Sequence, residues 1–81
     1  MKTKNLESRI SIDPNVCFGK PCIKGTRIPV YLILELLEAG YTIERILDEC
    51  YPQLSREDIQ AAVHYAVKII KNEDVFVSEA V

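Results

Sequence analysis

The sequence predicts a mostly α fold: a trihelical helix-turn-helix body, of homeodomain-like or winged type, preceded by a short N-terminal β-strand or hairpin element. From residue 30 onward, apolar side chains recur at helical spacing in three segments, each bounded by residues that start or stop helices. Before residue 30 the apolar period is two, and Gly and Pro are frequent. We expect one domain over residues 9–71, between a flexible N-terminus (1–8) and a C-terminal tail (72–81).

The β element begins at residues 9–12, where polar and apolar side chains alternate before the turn-forming residues 13–15. A small hairpin is expected around Gly25, with strands at residues 22–23 and 27–28. Gly25 permits the positive φ of a tight turn, and Thr26 is expected to bond the turn backbone. Strands this short need a further strand, which a second copy of the chain would supply.

Two helices are expected next. Pro29 has a φ that suits a first helical turn, so the first helix begins near Val30, and it ends at Gly40. The second helix begins after Thr42 as N-cap and stops at Pro52. The predicted buried faces contain Val30, Ile33, Leu36 and Leu37 in the first helix, and Ile43, Ile46, Leu47 and Cys50 in the second.

The third helix is the longest. Ser55 and Asp58 form an S-x-x-D capping box, and the helical pattern continues to residue 70 or 71. Its predicted buried stripe is Ile59, Val63, Ala66, Val67 and Ile70. Its opposite face carries a polar ridge at four-residue steps: Arg56, Gln60, His64 and Lys68.

This polar ridge is the first candidate DNA-binding site. In a helix-turn-helix protein the last helix enters the major groove, where Arg pairs with guanine and Gln with adenine. The alternative is an ordinary solvated helix face, which Glu57 and Asp58 in the same first turn favour because they repel phosphates.

A second candidate DNA-binding site is the basic turn formed by Lys20, Lys24 and Arg27. Cations around glycine turns are a common arrangement for binding anions such as DNA phosphates. The phosphate-binding motif G-x-x-x-x-G-K-[ST] is not met, so nucleotide hydrolysis is not expected. In the alternative, structural reading, Arg27 pairs with a helix carboxylate.

Charge is distributed unevenly. The net charge is −2, yet residues 1–27 carry +4 and residues 28–81 carry −6. Overall acidity argues against strong sequence-independent nucleic-acid binding, so DNA affinity requires local patches doubled in a homodimer. A chain of 81 residues buries a limited core, which also favours a homodimer. No apolar run is long enough to span a membrane and no secretory signal is evident, so we expect a cytoplasmic protein.

The residue types give little support for catalysis. Three cysteines are an odd number, which predicts reduced thiols, and a single histidine makes a metal site improbable. We therefore expect no enzyme activity, cofactor or metal. The least favoured alternative is a thiol- or nucleotide-handling enzyme that uses Cys17 or Cys22 with a pKa lowered by nearby lysines.

The tail contains an apolar triplet, Val75, Phe76 and Val77, among acidic residues. Such a segment adds as a strand to a partner or fills its groove. The alternative is packing on its own domain or on a second copy.

One motif supports a family resemblance. The motif is glycine-x-proline-x-x-x-glycine-threonine-arginine. An aliphatic helix, an Ala-Gly pair and two further helices separated by a proline follow it. The matching residues are Gly19, Pro21, Gly25, Thr26 and Arg27, then Leu36-Leu37-Glu38-Ala39-Gly40 through Ala66. Over residues 9–70 the chain closely resembles the domain-of-unknown-function family 433.

The resemblance implies an antitoxin-like helix-turn-helix protein. Its partner would be a PIN-like ribonuclease toxin encoded nearby, whose acidic Mg-binding centre the antitoxin would block. The resulting hypothesis is a dimeric antitoxin that binds this toxin and its own operator DNA. The alternative is a protein-interaction or dimerisation adaptor that keeps the helix-turn-helix shape without binding DNA.

Overall fold

The predicted fold class is confirmed. The computed structural model describes residues 6–72. These residues form a short antiparallel sheet followed by helices: β1 Ile10–Ser11, β2 Cys22–Ile23, α1 Val30–Glu38, α2 Ile43–Arg45 and α3 Arg56–Asn72. Two 3-10 turns, Leu6–Arg9 and Cys17–Gly19, precede β1 and β2 respectively. No helix among the described residues has the length and apolar character needed to cross a bilayer.

The sheet differs from the expected hairpin. β2 pairs with β1, with Ile10 opposite Ile23, and residues 27–28 form no strand. The partner strand therefore comes from the same chain, and no second copy is needed to supply it. After the turn the chain pairs with β2 only at an isolated antiparallel bridge between Cys22 and Pro29, because Pro29 lacks a backbone donor and α1 begins at the next residue.

The turn after β2 is closed by the side chain that the sequence indicates. Thr26 Oγ1 donates a hydrogen bond to the Ile23 carbonyl (2.7 Å) and accepts one from the Ile28 amide (3.0 Å). The Ile23 amide also donates to the Ile28 carbonyl (3.0 Å). Gly25 has a φ of +81°, as the tight turn requires. Thr26 and Gly25 thus have the structural roles predicted for them.

α1 begins and ends close to the predicted residues. The helix begins at Val30, as predicted, and Pro29 is the residue before it, with an extended backbone. At the other end Gly40 adopts a φ of +99°, and the Tyr41 amide donates to the Leu36 carbonyl at 3.0 Å. This left-handed glycine cap turns the chain out of the helix.

The second predicted helix is present but irregular. Thr42 caps it, because its hydroxyl oxygen accepts a hydrogen bond from the Arg45 amide at 3.1 Å. After α2 the chain continues as a wider π-helical turn, Ile46–Cys50, in which the Tyr51 amide donates to the Ile46 carbonyl at 2.8 Å. Ile46 is buried, whereas Ile43, Leu47 and Cys50 are half-buried.

The hydrophobic core lies where the three helices meet the turn after β2. Its buried members are Ile23, Ile28, Val30, Ile33, Ile46, Leu54, Ile59 and Ala62. Each of the predicted helices contributes to this core, so apolar periodicity identified the elements correctly. Leu36 and Leu37 of α1 pack against it while remaining half-buried.

The predicted buried stripe of α3 is wrong in part. Ile59 is buried as expected, but Val63, Val67 and Ile70 are 39%, 48% and 63% exposed. The residues that face inward are instead Ala61 and Ala62, which are fully buried. Their small side chains allow the backbone of α3 to approach the rest of the domain closely.

Hydrogen bonds and an ion pair at the N-terminus of α3 fix which face of the helix turns toward the core. The Ser55 amide donates to Asp58 Oδ2 (3.0 Å) and the Asp58 amide donates to Ser55 Oγ (3.3 Å), which confirms the predicted capping box. Arg9 Nη1 also donates to Asp58 Oδ1 at 3.0 Å. Asp58 therefore points toward the N-terminal turn, and the outer apolar residues of α3 point away from the core.

Candidate interaction surfaces

The polar ridge of α3 lies on the surface, as predicted, although its members have different environments. Arg56, Gln60 and Lys68 are exposed, and His64 is half-buried. Arg56 forms an ion pair with Glu44 at the start of α2. The pKa of Glu44 is lowered, first by its own backbone amide and then by Arg56. The predicted guanine-reading side chain is therefore already paired with a carboxylate.

Beside this ridge lies an apolar surface that includes Val63, Val67 and Ile70, which the sequence analysis assigned to the core. We call it the α3 apolar surface, and it consists of the exposed side chains Val63, Val67, Ile69 and Ile70 with Tyr31 of α1. Val63 and Val67 follow Arg56 and Gln60 at steps of three and four residues, so they share one outward face. That face is polar in its first turns and apolar in its later ones.

Two apolar grooves flank the second half of α3. One, of about 370 Å³, separates α3 from α1 and is lined by Lys20, Pro21, Tyr31, Leu34, Ile69 and Ile70, among others. The other, of about 230 Å³, separates α3 from β1 and is lined by Ile10, Ile12, His64, Tyr65 and Lys68, among others. Basic side chains therefore line both grooves, and α3 carries no Asp or Glu from Ile59 to its end.

The basic turn is exposed as predicted. Lys20, Lys24 and Arg27 all lie at the surface, and within residues 6–72 none of them forms an ion pair. The alternative in which Arg27 pairs with a helix carboxylate is therefore wrong. Lys20 lies in the groove beside α1, whereas Arg27 lies beside Asp13 and Gln53. His64 and Lys68 of the polar ridge line the groove between α3 and β1.

A further surface feature was missed by the sequence analysis. Phe18 is 97% exposed, at the middle of the left-handed turn Cys17–Gly19. Cys17, Phe18 and Gly19 have φ values of 54°, 57° and 80°. In the sequence Phe18 is one apolar residue among turn formers, and no local pattern distinguishes it from a core residue.

The cysteines are free thiols. Cys22 is buried, and its burial raises the pKa of the thiol to about 11. The hypothesis of a lowered pKa at Cys22 is therefore wrong, because desolvation disfavours the thiolate there more than the charge of Arg27 favours it. In the described part of the chain no group of three His, Cys, Asp or Glu side chains is arranged to hold a metal ion.

The third predicted contact, formed by Val75, Phe76 and Val77, lies outside the described residues.

Comparisons with known proteins place the chain in a family. Residues 10–66 match the family model described as "Protein of unknown function (DUF433)". The chain is 39% identical over 57 residues to the uncharacterized protein y4eO of Sinorhizobium fredii, a match covering 70% of this chain and 25% of that protein. It therefore spans about a quarter of the length of this curated relative.

A solved structure agrees. The fold is similar to the crystal structure of a DUF433 member protein from Anabaena variabilis, with a TM-score of 0.73 and 34% identity. That match covers 90% of this chain and 71% of the other. The motif around Gly19 and Gly25, the helical body and the matched range agree, and the chain belongs to the DUF433 family.

Proposed function

We propose that this protein is a protein-binding module of the antitoxin type, in which the α3 apolar surface docks on a PIN-like ribonuclease. The observation that carries the proposal is the exposure of Val63, Val67 and Ile70 along one helix face. Contiguous apolar patches on small soluble proteins mark interaction sites far more often than isolated exposed side chains do.

The chemistry of this surface supports a partner of a particular kind. A helix face that is apolar at its centre and basic at its rim fits an apolar patch rimmed by carboxylates. Lys68 and Lys71 provide the rim on α3, and Lys20 provides it across the groove. A nuclease with an acidic, Mg-binding centre has such carboxylates, and a docked α3 would cover that centre sterically.

Operator binding by a homodimer remains a separate hypothesis. If α3 read a major groove, its outward face would present Val63 and Val67 where base readers usually carry polar side chains. The ion pair between Arg56 and Glu44 would also have to open. These two features favour the adaptor alternative, in which the helix-turn-helix shape serves protein contact, over operator reading.

The proposal is tested with the product of the adjacent gene, where that gene encodes a PIN-like nuclease. We expect the two proteins to co-purify and the ribonuclease rate to fall on addition of this protein. Val67→Asp should weaken binding by about tenfold or more, because it buries a carboxylate without a partner at the contact. Isothermal titration calorimetry measures the affinity, and thermal unfolding verifies that the variant remains folded.

Gln53→Asp is the matched control, since it adds the same charge at an exposed site in the α2–α3 connection. It should bind like the unchanged protein. Equal binding by Val67→Asp would contradict docking through α3. Fluorescence anisotropy with upstream duplex DNA then decides the operator hypothesis, which requires that Arg56→Ala with Gln60→Ala weakens binding.

A further inference from the structure

Phe18 is the most exposed large apolar side chain among residues 6–72. A phenylalanine exposed to this extent gains nothing from burial in its own domain. It also has a left-handed backbone, as does Cys17, which is unfavourable for residues with a Cβ. Such conformations persist where the surrounding structure enforces them, and they concentrate at binding sites.

The surroundings of Phe18 hold the turn in place. The Gly19 amide donates to the Val16 carbonyl and the Lys20 amide donates to the Cys17 carbonyl, both at 3.0 Å. Cys17 Sγ donates to the Arg27 carbonyl at 3.3 Å, which joins this turn to the turn after β2. The ring is therefore presented to solvent on a backbone that these three hydrogen bonds hold.

Exposed cations belong to the same two turns as Phe18. Lys20 follows Phe18 by two residues, and the bond from Cys17 Sγ to the Arg27 carbonyl joins the backbone of the Phe18 turn to the backbone of Arg27. Lys24 is exposed at the neighbouring turn. Residues 14–34 contain these three cations and no acid. The nearest preceding acid, Asp13, lines the same groove as Arg27 and accepts a hydrogen bond from the Asn15 amide at 2.8 Å.

We propose that this Phe18 turn binds single-stranded nucleic acid, with a base stacked on Phe18 and backbone phosphates on Lys20, Lys24 and Arg27. An aromatic face with flanking cations is the arrangement that recognises unpaired bases. A duplex offers no free base face, so it would contact the cations alone.

A protein ligand fits these observations less well. The anchor residues of protein interfaces lie at the centre of a packed patch whose rim excludes water. Within residues 13–20 the exposed residues besides Phe18 are Asp13, Pro14, Asn15 and Lys20, and all but Pro14 are polar or charged. The two sites share Lys20, which lines the groove beside α3, but Phe18 lies outside the α3 apolar surface, so this inference does not rest on the proposed function.

The test uses the full chain with labelled oligothymidylate and oligouridylate of about twelve nucleotides, within the usual site size of such proteins. Fluorescence anisotropy at low salt should detect both strands, and a preference for one identifies DNA or RNA as the natural ligand. Three phosphate contacts predict a slope of log affinity against log salt of about −2. A duplex of the same length should bind more weakly.

Phe18→Ala should reduce the affinity by about tenfold, and Phe18→Trp should retain it. Because the chain has no tryptophan, the indole introduced by Phe18→Trp is also a unique reporter, and stacking of a base should quench its fluorescence. The control Val67→Ala, which truncates an exposed apolar side chain on α3, should bind like the unchanged protein.

Any one of three results would overturn the proposal. The first is that neither single strand binds at low salt, and the second is that Phe18→Ala binds with the same affinity as the unchanged chain. The third is that the Phe18→Trp variant reaches saturation without a change in its indole fluorescence. If the oligonucleotides fail and Phe18→Ala instead weakens capture of a protein partner, Phe18 is a protein anchor and the nucleic-acid assignment is wrong. Val67→Asp should lose the nuclease partner while keeping oligonucleotide binding, so the two proposals fail independently.

Discussion

Replacing Thr26 with valine should destabilise the fold by about 2 to 3 kcal/mol. The threonine hydroxyl donates to the Ile23 carbonyl at 2.7 Å and accepts from the Ile28 amide at 3.0 Å. Each neutral hydrogen bond contributes about 1 kcal/mol, and an amide left without a partner in a buried residue costs about 1 to 3 kcal/mol. The Ile23 carbonyl keeps a bond from the Thr26 amide, so the loss falls chiefly on Ile28.

Valine has nearly the shape of threonine, so packing changes little and the hydrogen bonds are isolated as the cause. Equilibrium urea unfolding followed by circular dichroism measures the free energy of unfolding, with an unchanged m-value as the check that compactness is preserved. In a domain of this size the loss corresponds to a fall in Tm of about 10 °C or more. Thr26→Ser keeps the hydroxyl, so its loss of unfolding free energy should be less than half that of Thr26→Val. The reasoning would be refuted if the free energy of unfolding of Thr26→Val lay within about 0.5 kcal/mol of that of the unchanged protein, because neutral surface substitutions typically have effects of that size.

Two further predictions concern the α3 cap and the buried thiol. Asp58→Ala should lower the free energy of unfolding by about 1 to 2 kcal/mol, because it removes the capping-box acceptor and the partner of Arg9. Asp58→Asn keeps an acceptor oxygen but removes the charge, so an equal loss of stability in that variant would show that the charge of Asp58, and not its hydrogen bonds, stabilises the fold. Cys22 should be alkylated after Cys17 and Cys50 at about pH 8, below the usual thiol pKa, as mass spectrometry of the labelled peptides would show. Since its pKa is raised from 9.0 to about 11 in the fold, stability from the neutral thiol is complete below pH 9 and is lost as the pH rises toward 11. Cys22→Ala should abolish that part of the pH dependence, and faster labelling of Cys22 than of Cys17 would contradict the burial argument.

Features set by residues close in sequence were predictable. Thr42 caps α2, Ser55 and Asp58 cap α3, and Gly40 ends α1, because each involves atoms within about four residues of one another. The roles of Gly25 and Thr26 belong to the same class. The family resemblance rests on these positions too, and the match over residues 10–66 agrees with it.

For a related reason, the surroundings of the candidate site residues could be predicted only in part. Exposure of Lys20, Lys24 and Arg27 follows from their charge alone. The pairing of Arg56 with Glu44 joins residues twelve positions apart, and no spacing rule indicates it. Phe18 was overlooked because composition assigns an aromatic residue to the core by default.

Residue types and short-range spacing thus determined which segments become helices, where each helix starts and stops, and which loop carries the basic residues. The tertiary structure alone decided that β2 pairs with β1 and that α3 turns its two alanines inward. The physical reason is that α3 has apolar residues on more than one side and could therefore bury any of several faces. The buried face is the one on which Ala61 and Ala62 allow close approach to the rest of the domain. The ion pair between Arg9 and Asp58 favours the same orientation of the helix. That choice leaves Val63, Val67 and Ile70 at the surface, where the proposed partner binds.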